Sequence, residues 1–471
     1  PDLLDRTEPE DVRDDEREPA AGAQPRSDTM SSTTRQPAEA AVIPSPTSPG
    51  ADPRPPLTGV TVLEVGVFMA APFASMQLAD LGARVIKIED PRSGDPVRAS
   101  GPFLDGESSP YLRLNRNKES VALDLKSAAG KEAFLALVAR ADVLIENLRP
   151  GAMARLGLDA EGIWAVNPRV VYASGSGWGQ DGPLAPLPGL DIMAQARSGI
   201  MSITGTPGGE PVKVGVPVCD LVCGLYLALG VTAALRERDR TGTGQAIDVS
   251  LFEAGVSLAV WEAGKYFATG EVGGPLGSAH QSQAPYQAFQ TADGWITIGA
   301  NTPNTWAGFC RTLGMTDELA DERYTDATKR HARRGELLDV IESRTRTRPT
   351  ADLLAALGDA GVPCAPINDY GQVFTDDPLT ARNFFWDAPH PALGPVRQIG
   401  SPIHLSRSPA VRGAAGPPLG ADTRAVLSRY GVPDDVVDAI AGPAGTPDTA
   451  PTDEAVAVPQ RPQPPAPGEG A

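Results

Sequence analysis

The chain has 471 residues, 41% of them hydrophobic, and a formal net charge of −18 at pH 7. That length allows two domains with sizeable cores, and the apolar fraction is that of a globular protein rather than a disordered one. The negative charge argues against nucleic acid or an anionic membrane as a main partner, since both repel an acidic surface.

Residues 1–54 hold 12 acidic side chains and six arginines among Pro, Ser, Thr and Ala, without hydrophobic periodicity. They are expected to form a disordered tail. Pro1 to Glu18 is acidic and polar and has no secretory pattern; Met30 is an alternative start. Globular structure is expected from Pro56–Leu57. Short apolar runs at Thr61–Val65, Arg84–Ile88, Val121–Leu125, Val143–Ile145 and Val170–Ala173 read as strands. Between them, helical spacing is expected over Ala70–Leu81, Ala128–Ala141, Gly151–Leu156 and Ala160–Val166. This alternation predicts an α/β fold, a Rossmann-like parallel sheet covered by helices. Ligands in such sheets bind beyond the carboxyl ends of the strands, here Gly66–Pro72, Glu89–Asp95, Glu146–Pro150 and Ser174–Pro183.

A long apolar helix is expected over Asp220–Arg236, then a turn at Thr241–Gly244 and a strand at Ala246–Ser250. No apolar run approaches the roughly 18 residues of a membrane span; the longest, Leu221 to Leu235, reads as a buried helix. Residues 55–252 thus form a large α/β domain and 253–279 a linker. Residues 280–367 form a smaller α+β domain, with a hairpin at Tyr286–Gln290 and Trp295–Gly299 and helices at Glu336–Arg346 and Ala351–Ala360. Residues 368–441 return to the large domain, with a last helix near Thr423–Tyr430, and 442–471 form a second disordered tail.

The common catalytic sets are missing. No G-x-G-x-x-G follows the first strand, and there is no Walker loop or G-x-S-x-G. The four histidines, His280, His331, His390 and His404, show no metal spacing. Cys219, Cys223, Cys310 and Cys364 form no C-x-x-C pair and read as free thiols of a cytoplasmic protein. What remains is Asp191, after the Gly/Pro-rich loop Gly175–Gly189 and ahead of the helical run Ile192–Ala196. An Asp there is first of all a helix N-cap; carboxylate chemistry is the alternative.

Several segments carry a wider likeness: LTGVTVLEVGVFMAAPFASMQLADLGARVIKIEDPRSGD from Leu57, NRNKESVALDLKSAAGK, ADVLIENLRPGAMARLGL, NPRVVYASGSGWGQDGP, PGLDIMAQARSGIMSITG, VGVPVCDLVCGLYLALGVTAALRERDRTGTGQAIDVSLFEA, APYQAFQTADGWITIGA and AGVPCAPIND. Over Pro56 to Gly431 the chain resembles the class III coenzyme A transferases. Gly277–Trp295 resembles most the subgroup that activates glutarate with succinyl-coenzyme A. The resemblance implies transfer of coenzyme A between carboxylic acids, with Asp191 as covalent nucleophile and coenzyme A as a substrate rather than a resident cofactor. It also implies an interlocked homodimer.

By the same resemblance Phe68, Met69, Lys118, Asn147, Leu148 and Arg155 contact coenzyme A. Asp90 stands where some members carry Arg, with Arg92 as the substitute, and Ser176 where some carry Lys. The Gly-rich loop that covers the aspartate in some relatives is replaced by Gly277–Gln283. Gly277, Ser278, His280 and Gln283 are therefore expected near the acyl group, the last two as holders of a second carboxylate. Two rivals remain. The related acyl-coenzyme A racemases have His before the matching aspartate, where this chain has Leu190, although Asp220 matches their second catalytic residue. A catalytically silent protein with the same fold is the other.

Overall fold

The computed structural model describes residues 54–443. The tails expected to be disordered lie outside the described residues, apart from Arg54, Gly442 and Pro443. Strand β1 (Thr61–Val65) leads through helix α1 (Ala70–Asp80) to β2 (Arg84–Glu89). β3 (Lys118–Ala122), α2 (Ala128–Val138), β4 (Val143–Glu146), α3 (Ala160–Val166) and β5 (Val171–Ser176) follow. Next come α4 (Asp191–Arg197), the long α5 (Val218–Thr241) and β6 (Ala246–Ser250). The six strands form one sheet in the order β3-β2-β1-β4-β5-β6, and every pairing is parallel. That order is the doubly wound Rossmann arrangement. Its ligand crevice lies where the order reverses, between β1 and β4.

The period of two along each strand divides the core into two layers. Val62, Val85, Val143 and Val171 face α1 and α5. Leu63, Ile86, Val121 and Leu144 face α2, α3 and the C-terminal residues Val426, Leu427 and Val437. Helix α5 has 24 residues, more than expected, and by length and composition alone it is long and apolar enough to cross a membrane. One face of it is a core face, with Cys223, Leu227, Val231 and Leu235 buried on the sheet. It packs closely on α1 at Gly224, where a Cβ would lie 2.8 Å from the Ala70 carbonyl oxygen.

Residues 253–279, expected as a linker, are largely helical: α6 (Leu251–Ser257) and α7 (Val260–Thr269). The hairpin β7 (Tyr286–Gln290) and β8 (Trp295–Gly299) lies where expected, and Cys364–Pro366 adds a third strand to it. Helices Pro303–Leu313, Arg334–Thr345 and Thr350–Asp359 cover this sheet around a separate core that includes Phe289, Ile296, Phe309 and Leu357. A further hairpin, Phe385–His390 with Gly394–Ile399, precedes the closing helices Thr423–Arg429 and Asp434–Ala441. All four cysteines are free.

Candidate active site

The loop after β1 is held at the reversal point from both sides. Asn147, the first residue past β4, accepts the Val67 N–H on Oδ1 and donates Nδ2 to the Val67 carbonyl, both at 2.9 Å. Phe68 is forced to φ 55, a left-handed backbone costly for a bulky side chain. Its N–H donates to Asp95 Oδ1 at 3.0 Å, an oxygen that also accepts the Val97 N–H.

Asp95 is itself fastened from beneath. Lys87 lies 2.9 Å from Asp95 Oδ2 and 2.6 Å from Glu64 Oε1, and Lys118 lies 2.8 Å from Glu64 Oε2; the side chains of all four are shielded from solvent in these pairs. Burial alone would push the Glu64 carboxyl up, but Lys118 and Lys87 bring it down to about 2. Burial lowers Lys118 to about 8 against the pull of Glu64. Such a network is tolerable in a low dielectric only because each charge has a partner.

A second loop, Gly177 to Leu190, delivers Asp191. Its two ends cross at glycines: a Cβ on Gly177 would lie 2.7 Å from the Gly189 Cα, so only glycine permits the approach. Asp191 opens α4 but does not cap it; Leu190 occupies the N-cap position. Instead the Asp191 carboxylate reaches the start of α5. Its Oδ1 accepts the Cys219 N–H at 2.9 Å and the Asp220 N–H at 3.3 Å. Its Oδ2 accepts Gln195 Nε2 at 2.6 Å. Helix starts carry free N–H groups and a positive dipole end, so a carboxylate is favoured there. Gln195 is fully buried, and its Oε1 accepts the Val214 N–H at 2.9 Å. The Asp220 carboxyl is pushed up to about 7, by burial and then by the charge of Asp191.

Asp191 and Asp220 line a cleft of about 1170 Å³. Phe68, Met69, Asn147, Ser176, Arg113 and Lys213 are also on its walls. Its size is at the upper end for a small-molecule site, and its walls combine apolar side chains with a few polar groups. A family model described as CoA-transferase family III matches residues 57–423. The chain belongs to this family. It is 36% identical over 377 residues to the succinyl-CoA:glutarate CoA-transferase of Mus musculus, covering 80% of this chain and 86% of that protein. It is also 36% identical to the acetyl-CoA:oxalate CoA-transferase of Acetobacter aceti, over 76% of this chain and 90% of that protein. Among solved structures, a CAIB/BAIF family protein from Brucella suis superposes with a TM-score of 0.73 at 35% identity, covering 80% of this chain and all of that one.

Of the residues that the family resemblance singles out, the cleft brings together Asp191, Phe68, Met69 and Asn147. Leu148 lines a separate, smaller cavity of about 190 Å³ beyond β1 to β4, together with Asp90, Lys126 and Leu156. Arg92 and Arg155 are exposed and line neither cavity; Arg92 makes a 2.9 Å pair with Asp90, and Arg155 precedes the lining residue Leu156. Lys118 is not a solvent-facing lysine. Its Nζ donates to Glu64, Asn115 and the Pro72 carbonyl, each at 2.8 Å, so the structure does not place it on a phosphate.

The segment Gly277–Gln283 does not reach the cleft either. Ser278 Oγ accepts the Ala288 N–H, the His280 ring stacks on Tyr286 at 5.0 Å, and Gln283 Oε1 accepts from Asn301. These polar groups are engaged in local folding around β7. Sequence reasoning missed Gln195 as a partner of Asp191, although the spacing of four residues on one helix places the two side chains together.

Proposed function

We propose that this CoA-transferase moves coenzyme A from an acyl-CoA donor to a free dicarboxylic acid, with Asp191 as the covalent nucleophile. The observation that carries the reading is the Asp191 carboxylate itself, held by three N–H donors on the wall of the large cleft. The names of the relatives support the substrate class, since one acts on succinyl-CoA and glutarate and another on acetyl-CoA and oxalate.

In the proposed cycle an Asp191 oxygen attacks the donor thioester and expels the coenzyme A thiolate, leaving a mixed anhydride. The thiolate attacks the aspartyl carbonyl of that anhydride, releasing the first acid and forming an aspartyl thioester. The acceptor carboxylate attacks this thioester, expels the thiolate again and forms a second anhydride. The thiolate then takes the new acyl group and frees Asp191. Each step exchanges one activated acyl bond for another, so neither ATP nor a metal is required. Apolar walls that exclude water protect the anhydride from hydrolysis.

We assign the coenzyme A contacts to Phe68, Met69 and Asn147 in the cleft, to Leu148 in the smaller cavity and to the exposed Arg92 and Arg155. The two separate cores support a large and a small domain. The exposed apolar residues of α7, among them Val260, Trp261 and Phe267, support a homodimer, and free thiols throughout support a cytoplasmic enzyme. A racemase needs an acid/base pair. In this chain Leu190, 63% exposed, precedes Asp191, and no histidine lines the cleft among the described residues. The direct test incubates the protein with succinyl-CoA and glutarate and follows the thioesters by mass spectrometry. Glutaryl-CoA and succinate are expected; α-deuterium washout from a 2-methylacyl-CoA without any exchange would instead favour the racemase.

A further inference from the structure

Asp220 lies in the first turn of α5 and on the wall of the cleft that holds Asp191. Its backbone N–H is engaged by Asp191 Oδ1. Among the described residues its carboxyl oxygens have no hydrogen-bonding or ion-pairing partner. The side chain is partly buried and open to the cleft, so its carboxyl is free to pair with a ligand bound beside Asp191. We propose that Asp220 contacts the incoming acid, donating its carboxyl proton as a hydrogen bond to the substrate carboxylate beside Asp191. This rests on the transferase reading and names the residue that tells a free carboxylate from other ligands in that site.

The chemistry requires such a donor. The acceptor is an anion and must approach the aspartyl thioester on the cleft wall that also carries Asp220. An ionised Asp220 would repel it, whereas a protonated one forms a short O–H···O⁻ contact, about twice as strong as a neutral hydrogen bond. No covalent bond forms to Asp220. The proton is shared with the carboxylate while the acid is bound and stays on Asp220 when the acid departs.

The groups facing Asp220 favour the protonated form. α4 brings Asp191. Its own helix brings Cys219 and Cys223. β6 brings Asp248, felt at Cys223, and the following α6 brings Glu253, which accepts from Ser250 Oγ. The charged residue of α1, Asp80, is tied to Arg116. The cations on the cleft wall, Lys213, Arg113 and Arg116, donate to Val214, Ser109 and Asp80 rather than to Asp220. Burial and the Asp191 charge together lift the Asp220 carboxyl to about 7.

The experiment is calorimetric titration of glutarate into the full-length protein and into Asp220→Asn and Asp220→Ala, from about pH 6 to about pH 8.5. For the unaltered protein the affinity should fall about tenfold or more across that range, the loss set by deprotonation of one group. Asp220→Asn keeps a donor that does not titrate, so its affinity should stay within about twofold throughout; Asp220→Ala should bind weakly at both ends. Parallel losses in the unaltered and Asn proteins, full affinity in the Ala variant, or no saturable binding at pH 6 would overturn the proposal. Exchange of coenzyme A from succinyl-CoA to glutarate, measured on the same samples, separates the two ideas. Exchange with pH-independent binding removes the role of Asp220 alone, whereas pH-dependent binding without exchange removes the transferase reading and leaves the carboxylate contact.

Discussion

Gln195 joins Asp191 to its surroundings: one end donates to Asp191 Oδ2 and the other receives the Val214 N–H. Replacing it by Ala removes a hydrogen bond to a charged oxygen, a loss of about 1.5–3 kcal/mol. Turnover of Gln195→Ala is therefore expected to fall roughly 10- to 100-fold, with KM for acyl-CoA almost unchanged, in steady-state assays at saturating donor. Asp95 is expected to act on binding instead. In Asp95→Asn the pair with Lys87 is broken and Phe68 loses its anionic acceptor, so KM for acyl-CoA should rise several-fold while turnover is kept. At this scale the sequence alone was a poor guide. Spacing made Asp191 the cap of its own helix, whereas its carboxylate binds the start of α5, 28 residues further on. The resemblance to the family, not periodicity, marked it out. Lys118, which the resemblance assigns to coenzyme A, instead pairs with Glu64, 54 positions earlier, a partner that no local spacing shows.

Gly177 and Gly189 pin the two ends of the loop that presents Asp191. Gly177→Ala forces a methyl to within 2.7 Å of the Gly189 Cα, which the backbone relieves only by opening the loop. Activity should drop by an order of magnitude or more while the melting temperature changes little, because the loop end is not part of a core. Leu227→Ala is expected to do the reverse. Leu227 is fully buried between α5 and the sheet, and the cavity left should cost about 2–5 kcal/mol in denaturant unfolding. Most strands and helices of the Rossmann sheet were legible because their apolar residues repeat at two or at 3.6. β3 was placed three residues late, because Lys118 and Glu119 open it and the apolar run begins only at Val121. The helical character of 253–279 was missed because α7 leaves Val260, Trp261 and Phe267 exposed, a pattern with no buried face to read.

Across the whole molecule the six-stranded sheet stands on a buried ion network, so acid should weaken the fold. The ordinary value for Glu64 is 4.5 and the folded one is about 2. The folded state therefore binds fewer protons than the unfolded one between these values. Its extra stability is present above about 4.5 and is lost as pH falls through about 2. Glu64→Gln leaves Lys87 and Lys118 without their shared anion, and should lower stability at pH 7 by about 3–5 kcal/mol and flatten the dependence below pH 4.5, both read from chemical denaturation. The family likeness spans most of the described chain, and its central chemical claim is that Asp191 carries the acyl transfer. The most direct measurement is mass spectrometry of the Asp191 peptide after incubation with succinyl-CoA and hydroxylamine, alongside exchange assays of folded Asp191→Ala. The account predicts a hydroxamate on Asp191 in the unaltered protein and no exchange in the variant. An unmodified Asp191, with exchange at full rate in the variant, would contradict it.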